Sequence, residues 1–222
     1  MTFPLMPIAS PAAGGNATAT YVTSRFSSSN SFSYNFTGTS IGTASDDRLV
    51  VVCAAINVLG TGSYFINTIS IGGVTATMAV RSASDTNCAI AYRLVPSGTT
   101  ADILISLGGV GTPGRCQIDV FNVKGWVSQT PSSVAATNAT AGTTISTTTG
   151  SSSGDCAVSV CFTYLESFTS SWSSPMIDVG NYEIEDSRTT AAYGNNLSIG
   201  PFTATVTKSV SSTSTMSIAT WS

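Results

Sequence analysis

An all-β, antiparallel, jelly-roll-like β-sandwich is the fold this chain predicts, and three observations predict it. Short runs of β-branched and aromatic residues alternate with small polar ones along most of the 222 residues, the period of half-buried strands. Glycine and proline signals such as Gly72-Gly73 and Pro96-Ser97-Gly98 separate the runs. Helix signals are nearly absent, while hydrophobic residues make up 42% of the chain, enough for a core of ordinary size.

The elements follow in order. Residues 1–20 are a Pro-, Ala- and Gly-rich segment, read as an extended arm ahead of a single sandwich domain over 21–222. Phe32, Tyr34 and Phe36 alternate with Ser33 and Asn35, giving a strand with an aromatic face. Arg48 to Asn57 is a strong strand, followed by Ile66 to Ile71, the Gly72-Gly73 turn and Val74 to Arg81. Asn87 to Val95 ends at Pro96-Ser97-Gly98, and Ala101 to Leu107 and Arg115 to Val123 close a first half over about 40–126. Residues 127–153 are rich in Thr, Ser and Ala and read as a linker with one weak strand near Thr143 to Thr149. A second half over 154–222 holds strands at Asp155 to Tyr164, Met176 to Asn181, Arg188 to Tyr193, Phe202 to Ser209 and Thr215 to Trp221.

The halves echo each other. Asp47 to Cys53 aligns without gaps on Asp155 to Cys161, which matches Val50 and Val52 with Val158 and Val160. Thr100 to Ser106 followed by Cys116 to Phe121 resembles Phe202 to Thr207 followed by Met216 to Trp221. This predicts a pseudo-repeat in which each half runs from an opening strand to a closing pair. Packing one sheet from each half face to face would bury both apolar faces.

Composition narrows the function. The chain has no histidine, eight Lys and Arg and eleven Asp and Glu. Charged residues at 9% fall far below the ~25% usual for soluble domains. Without histidine, the commonest general acid/base is missing. Lys124 and Lys208 are the only lysines, and no Ser-x-x-Lys pattern occurs. The sequence therefore points away from an enzyme, and no catalytic residue, metal ligand or cofactor is assigned. The net charge of −3 and the lack of a basic run speak against nucleic acid as a partner. No apolar run is long enough to span a membrane.

Binding and assembly candidates remain. Phe3, Leu5, Met6 and Ile8 lie on an arm stiffened by Pro4 and Pro7, and docking on a neighbouring subunit would bury them. Cys53, Cys88, Cys116, Cys156 and Cys161 form no Cys-x-x-Cys pair. They read as buried thiols, with disulfides or cross-links between chains as the alternative. Trp172, within Ser170-Ser-Trp-Ser-Ser174, sits among polar residues and is the candidate for an exposed glycan contact. Asp178, Glu183, Glu185 and Asp186 are the densest acidic run and read as a solvated strand face, with Ile184 pointing inward. Asp46-Asp47 reads as turn capping. Edge strands are usually guarded by charge. With so little of it, neighbours such as copies of this chain are expected to cover some edges.

Three segments carry a resemblance. Gly42 to Val52, Ile69 to Val74 and Ala91 to Thr100 resemble β-sandwich structural proteins of tailed bacteriophages and prophages. The likeness is best over 40–126 and looser over 150–222. It implies a virion component at the particle surface, such as a head decoration or neck and collar protein bound to other virion proteins. A tail-fibre or adhesin domain contacting host glycans is the alternative.

Overall fold

The computed structural model describes residues 16–82, 88–139, 141–164, 169–184 and 187–222, and the regular elements among them are all strands. In the first half they are β1 (Thr18–Ser27), β2 (Ser33–Ser40), β3 (Leu49–Ile71), β4 (Val74–Thr75), β5 (Thr77–Arg81), β6 (Cys88–Leu94) and β7 (Thr100–Lys124). In the second they are β8 (Ser133–Ala139), β9 (Thr144–Ser151), β10 (Cys156–Thr163), β11 (Ser170–Trp172), β12 (Ile177–Ile184), β13 (Ser187–Gly194), β14 (Gly200–Lys208) and β15 (Ser214–Trp221). All pairings are antiparallel.

Two differences from the sequence reading concern element ends. The strands expected at 48–57 and 66–71 are one strand, β3, and those at 101–107 and 115–123 are one strand, β7. The intervening glycines do not end the pairing. They let the β3–β7 pair bulge and bend, with register shifts at Ile56/Val58, Leu59/Ser63 and Ile66/Thr68. A Cβ at Gly109 would run into the Ser63 carbonyl, so the close approach requires glycine there. The stretch 127–153 is not a linker with one strand. It holds two, β8 and β9, and β1 begins at Thr18 inside the expected arm.

The first half is a seven-stranded sheet folded over on itself. The Leu49 and Lys124 ends of the long β3–β7 pair lie in a layer ordered β1-β7-β3-β6-β5, and the other ends lie beside β2 and β4. Val50, Val52, Ala54, Ile118 and Val120 from one layer meet Tyr34, Ile66, Ile69, Ile103 and Ile105 from the other in a first core. The second half repeats this with separate sheets, β12-β13-β10-β15-β8 and β11-β14-β9. Between them lies a core of Ile145, Ala157, Cys161, Val206, Met216 and Ile218.

The strand order is the same in both halves: β8-β15-β10-β13-β12 repeats β1-β7-β3-β6-β5, and β9-β14-β11 repeats β2-β7-β3. The pseudo-repeat is therefore present in the topology of an all-β, antiparallel sandwich protein. Each half closes its own two-layer core, and the halves then pack back to back through a further apolar layer. In that seam Leu49, Val51 and Phe121 face Val158, Phe162 and Trp221. Ring pairs cross it, Tyr92 against Trp221 at 5.9 Å and Phe121 against Tyr193 at 6.1 Å. With apolar layers on both sides, β10 and β15 are buried at every position.

The two sequence echoes fare differently. Cys116 and Ile118 face their own core as Met216 and Ile218 face theirs, and Phe121 and Trp221 both face the seam. The opening echo slips. Val120 pairs with Val52, and Thr220 with Ala157, so Val52 corresponds to Ala157 rather than to Val160. An odd offset reverses every side chain: Val50 and Val52 face their own core, whereas Val158 and Val160 face the seam.

Candidate functional site

The arm residues Phe3, Leu5, Met6 and Ile8 lie outside the described residues, as do Glu185 and Asp186. The cysteines do not pair. Cys53, Cys88, Cys116, Cys156 and Cys161 are all free and buried, spread over all three apolar layers. Burial pushes the thiols of Cys156 and Cys161 up to about 12 and raises those of Cys53, Cys88 and Cys116. Thiolates, the species that form disulfides, are disfavoured at such sites. Burial therefore disfavours the cross-linking alternative.

Trp172 is partly exposed. Its strand β11 is the margin of the outermost sheet, and the ring packs half-buried against the second half's own core. Its Nε1 donates to Thr190 Oγ1 at 2.8 Å, and that hydroxyl donates to Asp178 Oδ1 at 3.2 Å. The polar edge of the ring is thus engaged within the chain. Asp47 behaves as expected of a capping residue. Its carboxylate accepts from Ser45 Oγ and from the Gly125 N–H at 2.8 Å, and these bonds lower its pKa.

Lys208 is a residue whose position the sequence did not announce. It is buried, and its Nζ donates to Ser212 O at 2.7 Å, Ser212 Oγ at 3.0 Å and Ser214 Oγ at 2.5 Å. A lysine beside a serine suggests a nucleophile and its base. Here Ser214 is fully buried and Lys208 folds back on the β14–β15 connection, so the contact secures a turn.

The best-formed site lies at one end of the second half, and it grows from the turn Ser151-Ser152-Ser153-Gly154-Asp155. Gly154 takes φ +87° to make the turn. The Ser152 N–H donates to Asp155 Oδ2 at 2.8 Å, and the Asp155 N–H donates to Ser152 O at 3.2 Å. Ser132 Oγ adds a bond to Asp155 Oδ2 at 3.3 Å, and the Leu197 N–H donates to Asp155 O at 2.9 Å. The other carboxylate oxygen, Oδ1, is buried with no hydrogen-bond partner. Such an orphan costs about 1–3 kcal/mol. Beside this turn opens a cleft of about 310 Å³ lined by Ser132, Ser133, Gly150, Ser151, Ser152 and Asp155.

This arrangement suits binding. The lining offers hydroxyls and one acceptor oxygen, with no second carboxylate to act as a catalytic partner. Among the described residues no three His, Cys, Asp or Glu side chains come together to hold a metal. The sequence reading took Asp155 only as the first residue of a strand. The serine-glycine-aspartate run was the available signal, because Asp after such a turn bonds back to its own backbone.

No family model, curated protein or solved structure matches this chain.

Proposed function

We propose that this protein is a non-enzymatic structural component of a tailed-phage virion, held at the particle surface by pairing of its sheet edges with other virion subunits and copies of itself. The resemblance over residues 40–126 supplies the virion setting. The observation that carries the assembly role is the chemistry of the edges. Strands β2, β8, β9 and β11 lie at sheet margins, and none contains Asp, Glu, Lys, Arg or Pro. An edge without charge or proline is an open template for another strand. The outer face of the β9–β14 pair supports the same reading. It is a ladder of hydroxyls, Ser146 to Thr205 and Thr148 to Thr203, each at 2.8 Å, suited to solvent or to a polar neighbour.

The test is to purify the phage particles, locate the chain by mass spectrometry, and compare the wild type with a charged-edge variant. Val134 is 43% exposed on β8, so Val134→Lys combined with Ser146→Lys should leave the melting curve intact and abolish incorporation. Deleting residues 1–12 should do the same if the arm docks on a neighbour. Absence of the chain from particles, or normal incorporation of the charged-edge variant, refutes the proposal.

A further inference from the structure

We propose that the seam between the two halves is a pH-sensitive hinge, held at its apolar foot and parting at its polar end, enough to admit water, when the Asp119 carboxyl loses its proton. The seam is not uniform along its length. At the foot, near Leu49, it is apolar and clamped. Phe121 meets Tyr193 and Tyr92 meets Trp221. The Asn195 side chain accepts from the Ala19 N–H at 2.7 Å and donates to the Ala19 carbonyl at 3.0 Å. Further along each strand, polar side chains enter both walls. In the first half Gln117 pairs with Ala55, and Ala55 with Cys88. In the second half Thr189 pairs with Phe162, and Phe162 with Thr215. These rows face each other, since Cys88 Sγ lies 3.5 Å from Thr215 Oγ1 and 3.5 Å from Ser217 Oγ.

The polar end is poorly satisfied. Gln117 Oε1 and Asp119 Oδ2 from one half, and Ser187 Oγ and Thr189 Oγ1 from the other, are buried with no hydrogen-bond partner. Buried polar atoms left unpaired are unfavourable, and water entering a parted seam would satisfy them. Each half closes its own two-layer core, so one end of the seam can part without exposing either core. Folded chains open locally where their contacts are weakest, and this end of the seam is such a place.

Asp119 supplies the pH response. It is fully buried, and it pairs with Cys53 on β3 and Ser24 on β1. Its Oδ1 accepts from Ser24 Oγ, which lies 2.7 Å from Tyr21 Oη. The titratable groups around it are Tyr21, Cys53, the neighbouring Cys88 and, from β12, Asp178. The seam faces of β10, β13 and β15 bring no charge among the described residues. Arg25 pairs with Ile118, and Arg188 with Thr163, on strand faces turned from the seam to the separate cores. Arg115 shares the face of Asp119 but stands roughly 13 Å further along the strand. Burial first, with Asp178 adding to it, holds the Asp119 carboxyl up at about 7, against the hydrogen bonds of Ser24 and Gln117. In a wetted seam it would return toward the ordinary value of about 3.9. Between those values the open form binds fewer protons than the closed one. Opening is therefore favoured as pH rises, about tenfold per unit up to 7 and levelling off above it.

The experiment is methyl NMR on the full chain labelled at threonine and alanine, with relaxation dispersion measured at pH 6 and pH 8. The Thr189 and Thr215 methyls report on the polar end and the Ala219 methyl on the foot. We expect exchange with a second state at Thr189 and Thr215, and none at Ala219. The open-to-closed ratio should be about tenfold higher at pH 8 than at pH 6. Asp119→Asn should remove that dependence on pH. Ser24→Ala keeps the test decisive if Asp119→Asn fails to fold. It removes a bond that holds the ionised carboxylate in the closed seam, so its ratio should rise by more than tenfold over the same interval. A ratio that does not change with pH overturns the proposal, as does the same rise in Asp119→Asn or a smaller rise in Ser24→Ala. Equal exchange at Ala219, or polar-end resonances that shift with pH without a second state, would also overturn it.

Discussion

Replacing Arg48 should cost this protein more stability than any surface change, and the size of the loss follows from its geometry. Arg48 is fully buried at the foot of β3. An arginine has five N–H donors, and all five are used. Nε donates to Val95 O at 2.8 Å, Nη1 to Ile41 O at 3.2 Å and Gly42 O at 2.6 Å, and Nη2 to Ser97 O and Gly98 O at 2.9 Å each. The side chain thus ties the β2–β3 connection to the β6–β7 connection through carbonyl oxygens alone. Arg48→Met keeps the apolar stem and removes every donor. Each bond to a charged group contributes about 1.5–3 kcal/mol, but the loops would move and let water reach some of the carbonyls. The expected loss is therefore about 3–5 kcal/mol, the range seen when a buried charged partner is removed. That is a large part of the ~5–15 kcal/mol that stabilises an ordinary domain. Arg48→Lys, with three donors on a compact ammonium, should fall between. The assay is guanidinium unfolding at pH 7, read with hydrogen exchange at the Ile41 and Val95 amides, which close the same loops onto Thr99 O and Arg48 O. A loss below about 1 kcal/mol for Arg48→Met, the size of an ordinary surface effect, would refute the reasoning.

Two further outcomes follow from buried groups. Asp119 lies fully buried beside the seam, and burial raises its carboxyl to about 7, against the pull of Ser24 and Gln117 and with a push from Asp178. Its unfolded value is about 3.9, so between about pH 4 and 7 the native state holds a proton that the unfolded chain has released. Stability from this group is complete below about pH 4 and is lost as pH rises through 7, with a span on the order of 4 kcal/mol. Denaturation at pH 5 and pH 8 should show that slope in the wild type and lose it in Asp119→Asn; equal slopes would contradict the assignment. The five buried thiols should ignore a thiol reagent in the native state and react together on unfolding, with identical gel migration with and without reductant. A fast-reacting thiol or a reductant-sensitive band would contradict the packing.

The strand content and the repeat were legible because they rest on side-chain alternation and on turn residues, which are local. The layering was not. Whether Val158 faces its own sheet partner or the opposite half depends on register, and a shift of an odd number of residues leaves the pattern of apolar residues almost unchanged where both faces are buried. The strand Cys156–Thr163 is covered on both sides, so alternation, the signal that fixes facing, is weakest there. Gly108, Gly109 and Gly114 read as the end of a strand because glycine usually interrupts pairing. Here the long β3–β7 pair continues past them, and at Gly109 and Gly114 the facing backbone is too close for a side chain. The cleft beside Asp155 was hidden for a different reason. It is made by the 151–155 turn meeting the start of β8, residues 18 or more positions apart in sequence.

The two halves share a backbone framework at the foot of the opening strand but use it with different side chains. Arg48 and Asp155 each stand just before the opening strand of their half, two residues apart in the shared register, and each carbonyl accepts a backbone bond, from the Val95 N–H at 3.1 Å and from the Leu197 N–H at 2.9 Å. The framework is shared, but the side chains do opposite work. Arg48 spends every donor on its loops, so its position is structural through and through. Asp155 secures its turn with one carboxylate oxygen and keeps the other buried without a partner.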